Sequence, residues 1–218
     1  MSKGALPTAS GVPSGWHVQP SPAQVKILAA TRALIQRKGG ADVTMAEIAK
    51  ASGLSRQAIY LHFEDRGALI QALGRYADDR RGLDIEVEHV LENASGVEAM
   101  SRFVELLTRT NPGIWVLARA ADAVRRTDPA VEDTWQERVR IRLKICVAII
   151  ERIRTEGMLR EGMDVETAVD LLWTLTSLRM WEDLVEVRGW APAKYSRYIC
   201  NILATTLTRT LPGSGSGE

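Results

Sequence analysis

The sequence predicts an all-α fold: a three-helix head containing a helix-turn-helix pattern, followed by a larger helical domain. Three observations carry this. Helix start and stop signals succeed one another from Ser21 onward, with no convincing strand between them. Residues 45–63 have the composition that two short, steeply crossed helices require. The run LLWTLTSLRMW at 171–181 is apolar on nearly every side, whereas a surface helix would carry a single apolar stripe.

The elements follow in order. Ser21-Pro22-Ala23-Gln24 opens the first helix, with Ser as N-cap, Pro at the first helical position and Gln able to close a capping box. Gly39-Gly40 ends it, with Arg37 and Lys38 favourably placed in the last turn. Thr44-Met45-Ala46-Glu47 is a second capping box, starting a short helix to about Ser52. Ser55 caps a third, expected to run through Phe63, and Asp65 caps a fourth that continues into the body. Body helices are expected at about 97–110, 112–126, 129–157, 164–188 and 192–210. Asn111-Pro112, Asp128-Pro129 and Asp164 mark starts; Gly157 and Gly189 mark stops. The helix at 129–157 would be about 43 Å long. The domain expectation is a flexible tail at 1–20, the head at 21–80, the body at 81–211 and a second flexible tail at 212–218.

Bulk properties narrow the function classes. The chain has 218 residues, 45% hydrophobic and 25% charged, which suits an ordinary globular protein with a real core. No apolar run approaches the ~18 residues of a membrane span, and the N-terminus lacks the apolar core of a signal peptide. A cytoplasmic protein without membrane contact is expected. Cys146 and Cys200 belong to no metal-spaced cluster and read as core thiols in a reducing compartment. Residues 21–77 hold eight bases against four acids; residues 78–218 hold 19 bases against 23 acids. A basic head on an acidic body suits a polyanionic partner for the head.

The informative stretch is VTMAEIAKASGLSRQAIYLHFEDRGALIQAL, residues 43–73. Ala49 supplies the small residue where two short helices touch. Gly53 supplies a turn that tolerates positive φ. Leu54 plugs the turn, and Ile59 packs the second helix onto the first, with Ile48, Phe63 and Leu69 extending the core. Ser55, Arg56 and Gln57 are left facing outward. Arg can pair with guanine and Gln with adenine in the major groove.

This stretch resembles the TetR family of bacterial regulators, through the A-x-x-x-G spacing and the I-Y-x-H-F run at 59–63 within residues 24–73. The resemblance implies a helix at 55–61 lying in the major groove of double-stranded operator DNA. It also implies phosphate contacts from Thr44, Tyr60, His62 and a base opening the fourth helix. That base is usually Lys and here is Arg66; the neighbouring Gly67 replaces a better helix former. The bland readings stand beside these: Tyr60 and His62 as satisfied interior residues, and Arg56 and Gln57 as a solvated face. Thr44 is an N-cap in either case.

A single recognition helix makes too few contacts for a unique address, and two-fold pairing doubles them. Leu171, Leu175 and Leu178, with Tyr195, Tyr198, Ile199 and Ile202, are the expected homodimer interface; in the resembling family the last two helices form a four-helix bundle between subunits. The alternative is that both helices are buried within a monomer. The resemblance further implies a small-molecule effector in the body. Phe103, Leu107, Trp115, Trp135, Trp173, Met180 and Trp181 are candidates to line its cavity, with Arg119 as a polar contact; Asp122 and Arg179 lie in similar surroundings. Ordinary core, and ion pairs facing water, are the competing readings.

The expected function is a ligand-responsive repressor that binds a palindromic operator as a dimer and is released by an apolar or aromatic effector. The alternative is a helical scaffold without operator-specific binding. Catalysis is not expected: no GxSxG, HExxH, phosphate-loop or dinucleotide signature occurs, and His17, His62 and His89 lack partners at metal-ligand spacing. No cofactor or metal is expected.

Overall fold

The computed structural model describes residues 20–38, 43–79 and 90–209. The expected helix stop at Gly39-Gly40, nearly all of the first tail, the whole of the second, and the junction at 80–81 lie outside the described residues.

Among the described residues the chain is helical and has no strand; one isolated bridge joins Leu159 to Thr208. The elements are α1 (Pro22–Arg37), α2 (Met45–Ser52), α3 (Arg56–Tyr60), α4 (Arg66–Asp79), α5 (Gly96–Arg125), α6 (Pro129–Thr155), α7 (Val165–Leu175) and α8 (Leu178–Trp181). A π-helical segment (Glu182–Val187) and α9 (Pro192–Leu207) complete the chain. Both expected capping boxes form. The Ser21 hydroxyl accepts the Gln24 N–H while the Gln24 carboxamide accepts the Ser21 N–H, and Thr44 and Glu47 make the same reciprocal pair.

Two apolar cores result. The head core gathers Ile27, Leu28, Ile48, Ile59, Leu69 and Leu73 from α1 to α4. The body core gathers Phe103, Ile149, Ile153, Leu172, Trp181 and Leu203 from α5 to α9. Helix α5 serves both: its first half lies in the body core, while Ala120, with half-buried Val116 and Leu117, packs into the head.

Three expectations about element limits are corrected. The break at Asn111-Pro112 does not occur; α5 runs through Pro112 as one helix of 30 residues. Pro removes one helix hydrogen bond at a cost of about 3 kcal/mol. Burial on both sides of it, in two separate cores, offsets that cost. Second, α3 stops at Tyr60, and residues 61–62 form a turn that swings Phe63 back into the head core. Third, the helix expected over 164–188 divides into α7, α8 and the π segment. Ser177 accepts the Met180 N–H and caps α8 anew. The freed carbonyls at the end of α7 are met by other groups. The Thr176 hydroxyl donates to Leu172, Arg142 to Trp173, the Ser177 N–H to Thr174 and the Tyr195 hydroxyl to Leu175.

Helices α5 and α6 pack antiparallel. At one end a Cβ on Gly96 would come within 2.5 Å of the Ile153 backbone nitrogen, so only glycine permits the approach. At the other end Arg125 pairs with Glu132 at 2.9 Å. Helix α4 crosses α6 on a face of small and polar residues. A Cβ at Gly67 would collide with the Asp128 carboxylate, the Gln71 carboxamide donates to the Thr134 hydroxyl at 2.7 Å, and Gly74 faces Arg138. The glycine that weakens the first turn of α4 thus lets the Asp128 carboxylate lie against it where head and body meet.

Candidate nucleic-acid interface and body core

The residues expected to contact DNA are exposed or half-buried on the head. Gly53 closes α2 with φ +64°, and the Leu54 N–H donates to the Ala49 carbonyl, fixing the angle between α2 and α3. The Ser55 hydroxyl accepts the Ala58 N–H and so caps α3. This leaves Arg56 and Gln57 in the exposed first turn, while Ile59 is buried. Thr44, Tyr60 and His62 are exposed as well, so the interior reading of Tyr60 and His62 is excluded. Arg66, half-buried, opens α4 beside them.

The Thr44 cap is tied into a small charged network. Lys38 Nζ lies 2.8 Å from Glu47, which also accepts from the Thr44 N–H and hydroxyl. The hydrogen bond from Lys38, followed by those from Thr44, holds the Glu47 carboxyl down at about 2.

Two further surface residues lie near these positions. Lys26, exposed on α1, brings its ammonium to the Gly53 turn. Leu61 is 85% exposed directly after α3. Leu61 breaks the apolar pattern set by Ile59 and Phe63, and that misfit was its signal in the sequence. Lys26 had none, because only tertiary packing brings α1 to the turn.

In the body, Phe103 and Trp181 are buried in one core, with Leu107, Trp115, Trp173 and Met180 half-buried against it. The Trp181 ring stands edge-on to Tyr195 at 5.1 Å, and its indole N–H donates to Glu186. Trp135 lies outside this cluster, under the Arg125 guanidinium at 4.9 Å. Arg119 is exposed, 5.3 Å from the Trp115 ring and 3.9 Å from Glu182. Asp122 pairs with Arg125 and Arg179 with Asp183, so both face water in surface ion pairs.

Sequence reasoning passed over Arg142. It lies on the inward stripe of α6 with Ile145, Cys146, Ile149 and Ile153, and a charge on an apolar stripe was its signal. Its guanidinium sits 5.0 Å from the Trp173 ring and donates to the Trp173 carbonyl and the Thr176 hydroxyl. Burial pushes its pKa down, raises the Cys146 thiol to about 11 and raises the Tyr195 hydroxyl to about 12. Three other buried donors in the body, Asn111 Nδ2, Trp115 Nε1 and Trp173 Nε1, have no acceptor.

Of the expected dimer residues, Tyr195 and Ile199 are buried within the subunit, because α9 turns them onto Trp181 and the core. They are not available to a partner, which corrects their assignment. Tyr198 and Ile202, on the opposite side of α9, are more than 40% exposed, and Leu171, Leu175 and Leu178 are half-buried. Cys146 and Cys200 are free thiols, the first buried and the second half-buried. Among the described residues no group of His, Cys, Asp and Glu could hold a metal, and no helix is long and apolar enough to cross a membrane.

Comparison with known proteins bears on this geometry. The family model for bacterial regulatory proteins of the tetR family matches residues 27–73, which span α1 to α4. The chain is 26% identical over 196 residues to the HTH-type transcriptional regulator EthR of Mycolicibacterium smegmatis, covering 87% of this chain and 88% of the relative. It is 22% identical to EthR of Mycobacterium tuberculosis, over 68% of this chain and 71% of that one. Among solved structures, a transcriptional regulator from Saccharomonospora viridis in complex with choline superposes with a TM-score of 0.74 at 20% identity, covering 88% of this chain and all of that one. FadR from Bacillus subtilis in complex with stearoyl-CoA superposes at 0.65 and 16% identity, over 83% and 97% of the two chains. The head, α1 to α4, therefore carries the signature of the tetR family of bacterial regulatory proteins, and the described chain shares the fold of solved transcriptional regulators.

Proposed function

We propose that this regulator is a ligand-responsive repressor that binds a palindromic operator as a homodimer in the cytoplasm. The head (21–80) reads DNA, and the body (81–211) dimerises and binds a small-molecule effector. The observation that carries the reading is the capped first turn of α3, which presents Arg56 and Gln57 to solvent on a buttressed helix. Thr44, Tyr60, His62 and Arg66 flank it as phosphate contacts, Lys26 adds a cation at the Gly53 turn, and Leu61 suits a thymine methyl. Tyr198 and Ile202, with the half-buried leucines of α7 and α8, are the surface offered to a second subunit. The complexes of the similar regulators with choline and with stearoyl-CoA support a small-molecule effector in the body.

An effector acts only through differential affinity, so it must favour a spacing of the two heads that does not fit adjacent major grooves. The experiment is a mobility shift on DNA selected by the purified protein. Arg56→Ala is expected to cost about 1–3 kcal/mol and relax sequence preference, whereas Arg66→Ala weakens binding to all sequences and lowers the salt slope by about one. Unchanged selectivity in Arg56→Ala removes Arg56 as a reader. A monomeric sedimentation mass at micromolar concentration removes the dimer.

A further inference from the structure

We infer that the effector site in the body is anchored by Arg142 and takes an apolar small molecule carrying a carboxylate. The inference rests on the effector-responsive reading above and adds the chemistry of the ligand.

The first support is charge. Arg142 lies on the apolar stripe of α6, and no carboxylate pairs with it among the described residues. Its neighbours on the same helix differ: Arg140 pairs with Glu137 and Arg154 with Glu151. Both bonds that Arg142 makes to protein come from Nη2, to the Trp173 carbonyl and the Thr176 hydroxyl. Those bonds close the C-terminal end of α7, a structural task that leaves Nε and Nη1 without a protein acceptor. The guanidinium is half-buried against Trp173, and the planar fork of its remaining donors matches a carboxylate.

The second support is independent. Asn111 Nδ2, Trp115 Nε1 and Trp173 Nε1 are buried and lack acceptors, and Asn111 is only 2% exposed. All three are donors, so the missing group is an acceptor. Trp173 lies against Arg142 itself. Asn111 and Trp115 are one turn apart on α5. Because α5 and α6 run antiparallel from the Gly96–Ile153 contact to the Arg125–Glu132 pair, that turn lies level with Arg138 to Arg142. The orphaned donors and the unpaired cation therefore share one height of the body. Half-buried Leu107 and Met180 pack against the same core and suit the apolar part of the ligand.

The test uses the full chain and three probes of similar size: 4-phenylbutyrate, its neutral amide, and 3-phenylpropyl-trimethylammonium. Binding is followed by tryptophan fluorescence and calorimetry, and operator binding is measured in parallel. The wild type is expected to bind the carboxylate at least about tenfold more tightly than the amide or the cation. Arg142→Gln brings carboxylate and amide within about threefold of each other, and Arg142→Lys retains part of the preference. Should Arg142→Gln fail to fold, because it also closes α7, Trp173→Phe carries the test. It removes one orphaned N–H but keeps the backbone carbonyl that Arg142 uses, and it should weaken the carboxylate several-fold without a matching loss of Tm. Equal binding of carboxylate and amide, or preference for the cation, overturns the inference. If such charge-blind binding still releases operator, the effector reading stands without Arg142. No saturable binding by any probe, with operator binding unaffected, overturns both.

Discussion

The head and the body are both helical but are held together differently. In the head the hydrogen bonds that set helix ends span three residues, as in Ser21–Gln24, Thr44–Glu47 and Ser55–Ala58. The body has such caps too, at Ser95–Glu98, Asp164–Thr167 and Ser177–Met180, and adds arginine and glutamate side chains that reach across the chain to backbone groups. Arg152 donates to the carbonyls of Leu91 and Ala94, Glu156 accepts from the Gly96 N–H, and Arg142 donates to the Trp173 carbonyl. Local caps make a small domain that folds to one shape, which suits a reader of DNA. Long-range polar contacts shape the body, where Asn111, Trp115 and Trp173 keep donors without an acceptor, the groups that the proposed ligand would meet. Helix α5 joins the two, and Gly67 against Asp128 marks a second point of contact.

The largest effects test whether this contrast survives in cooperativity. Leu69→Ala in the head and Ile149→Ala in the body each empty a fully buried site and should cost about 2–5 kcal/mol. Five of the six tryptophans lie in the body, so fluorescence reports the body while circular dichroism reports both regions. Since α5 belongs to both cores, both variants should lower one shared transition. If Leu69→Ala shifts the dichroism and spares the fluorescence, the regions unfold separately. Next in size is Gly67→Ala, expected to cost about 1–3 kcal/mol by displacing the Asp128 carboxylate. Much of that loss should return in Gly67→Ala/Asp128→Ala, a coupling that a simple loss of helix propensity could not produce.

Smaller effects probe the caps. Ser177→Ala removes the bond that starts α8 and should cost about 1 kcal/mol in thermal unfolding. A cost near zero would mean that Arg142 and Tyr195 hold the end of α7 without it. The smallest concerns Glu47, whose carboxyl is held at about 2 against an ordinary 4.5, first by Lys38 and then by Thr44. A lowered carboxyl stabilises the fold above its unfolded pKa and loses that contribution as pH falls through the folded one. The Tm of the wild type should exceed that of Glu47→Gln above pH 5, and the gap should close as pH approaches 2. All three groups meet water, so the gap should be slight.

Most of the head was legible because its signals are local. Capping boxes, the Gly53 turn and the I-Y-x-H-F run each act within a few residues. Arg56 and Gln57 face outward because buried Ile59 sets the phase of α3. The body was legible as helical more than in its breaks. Pro112 carries every sequence mark of a helix start, yet two cores hold α5 through it. Thr176-Ser177 reads as helix interior, yet side chains from α6 and α9 take over the carbonyls there. The orientation of α9 was half right: a turn rich in apolar residues has two faces, and packing on Trp181 decided that Tyr195 and Ile199 go in while Tyr198 and Ile202 stay out.

Sequence alone determined that this protein is helical, where most of its helices begin, and which residues the head turns outward, because caps and periodicity act over three or four residues. Tertiary structure decided that Gly67 packs against Asp128, that α5 is continuous, and that Arg142 meets Trp173 and Thr176 with no carboxylate paired to it among the described residues. Each of those depends on a neighbour distant along the chain, whose position no local propensity encodes.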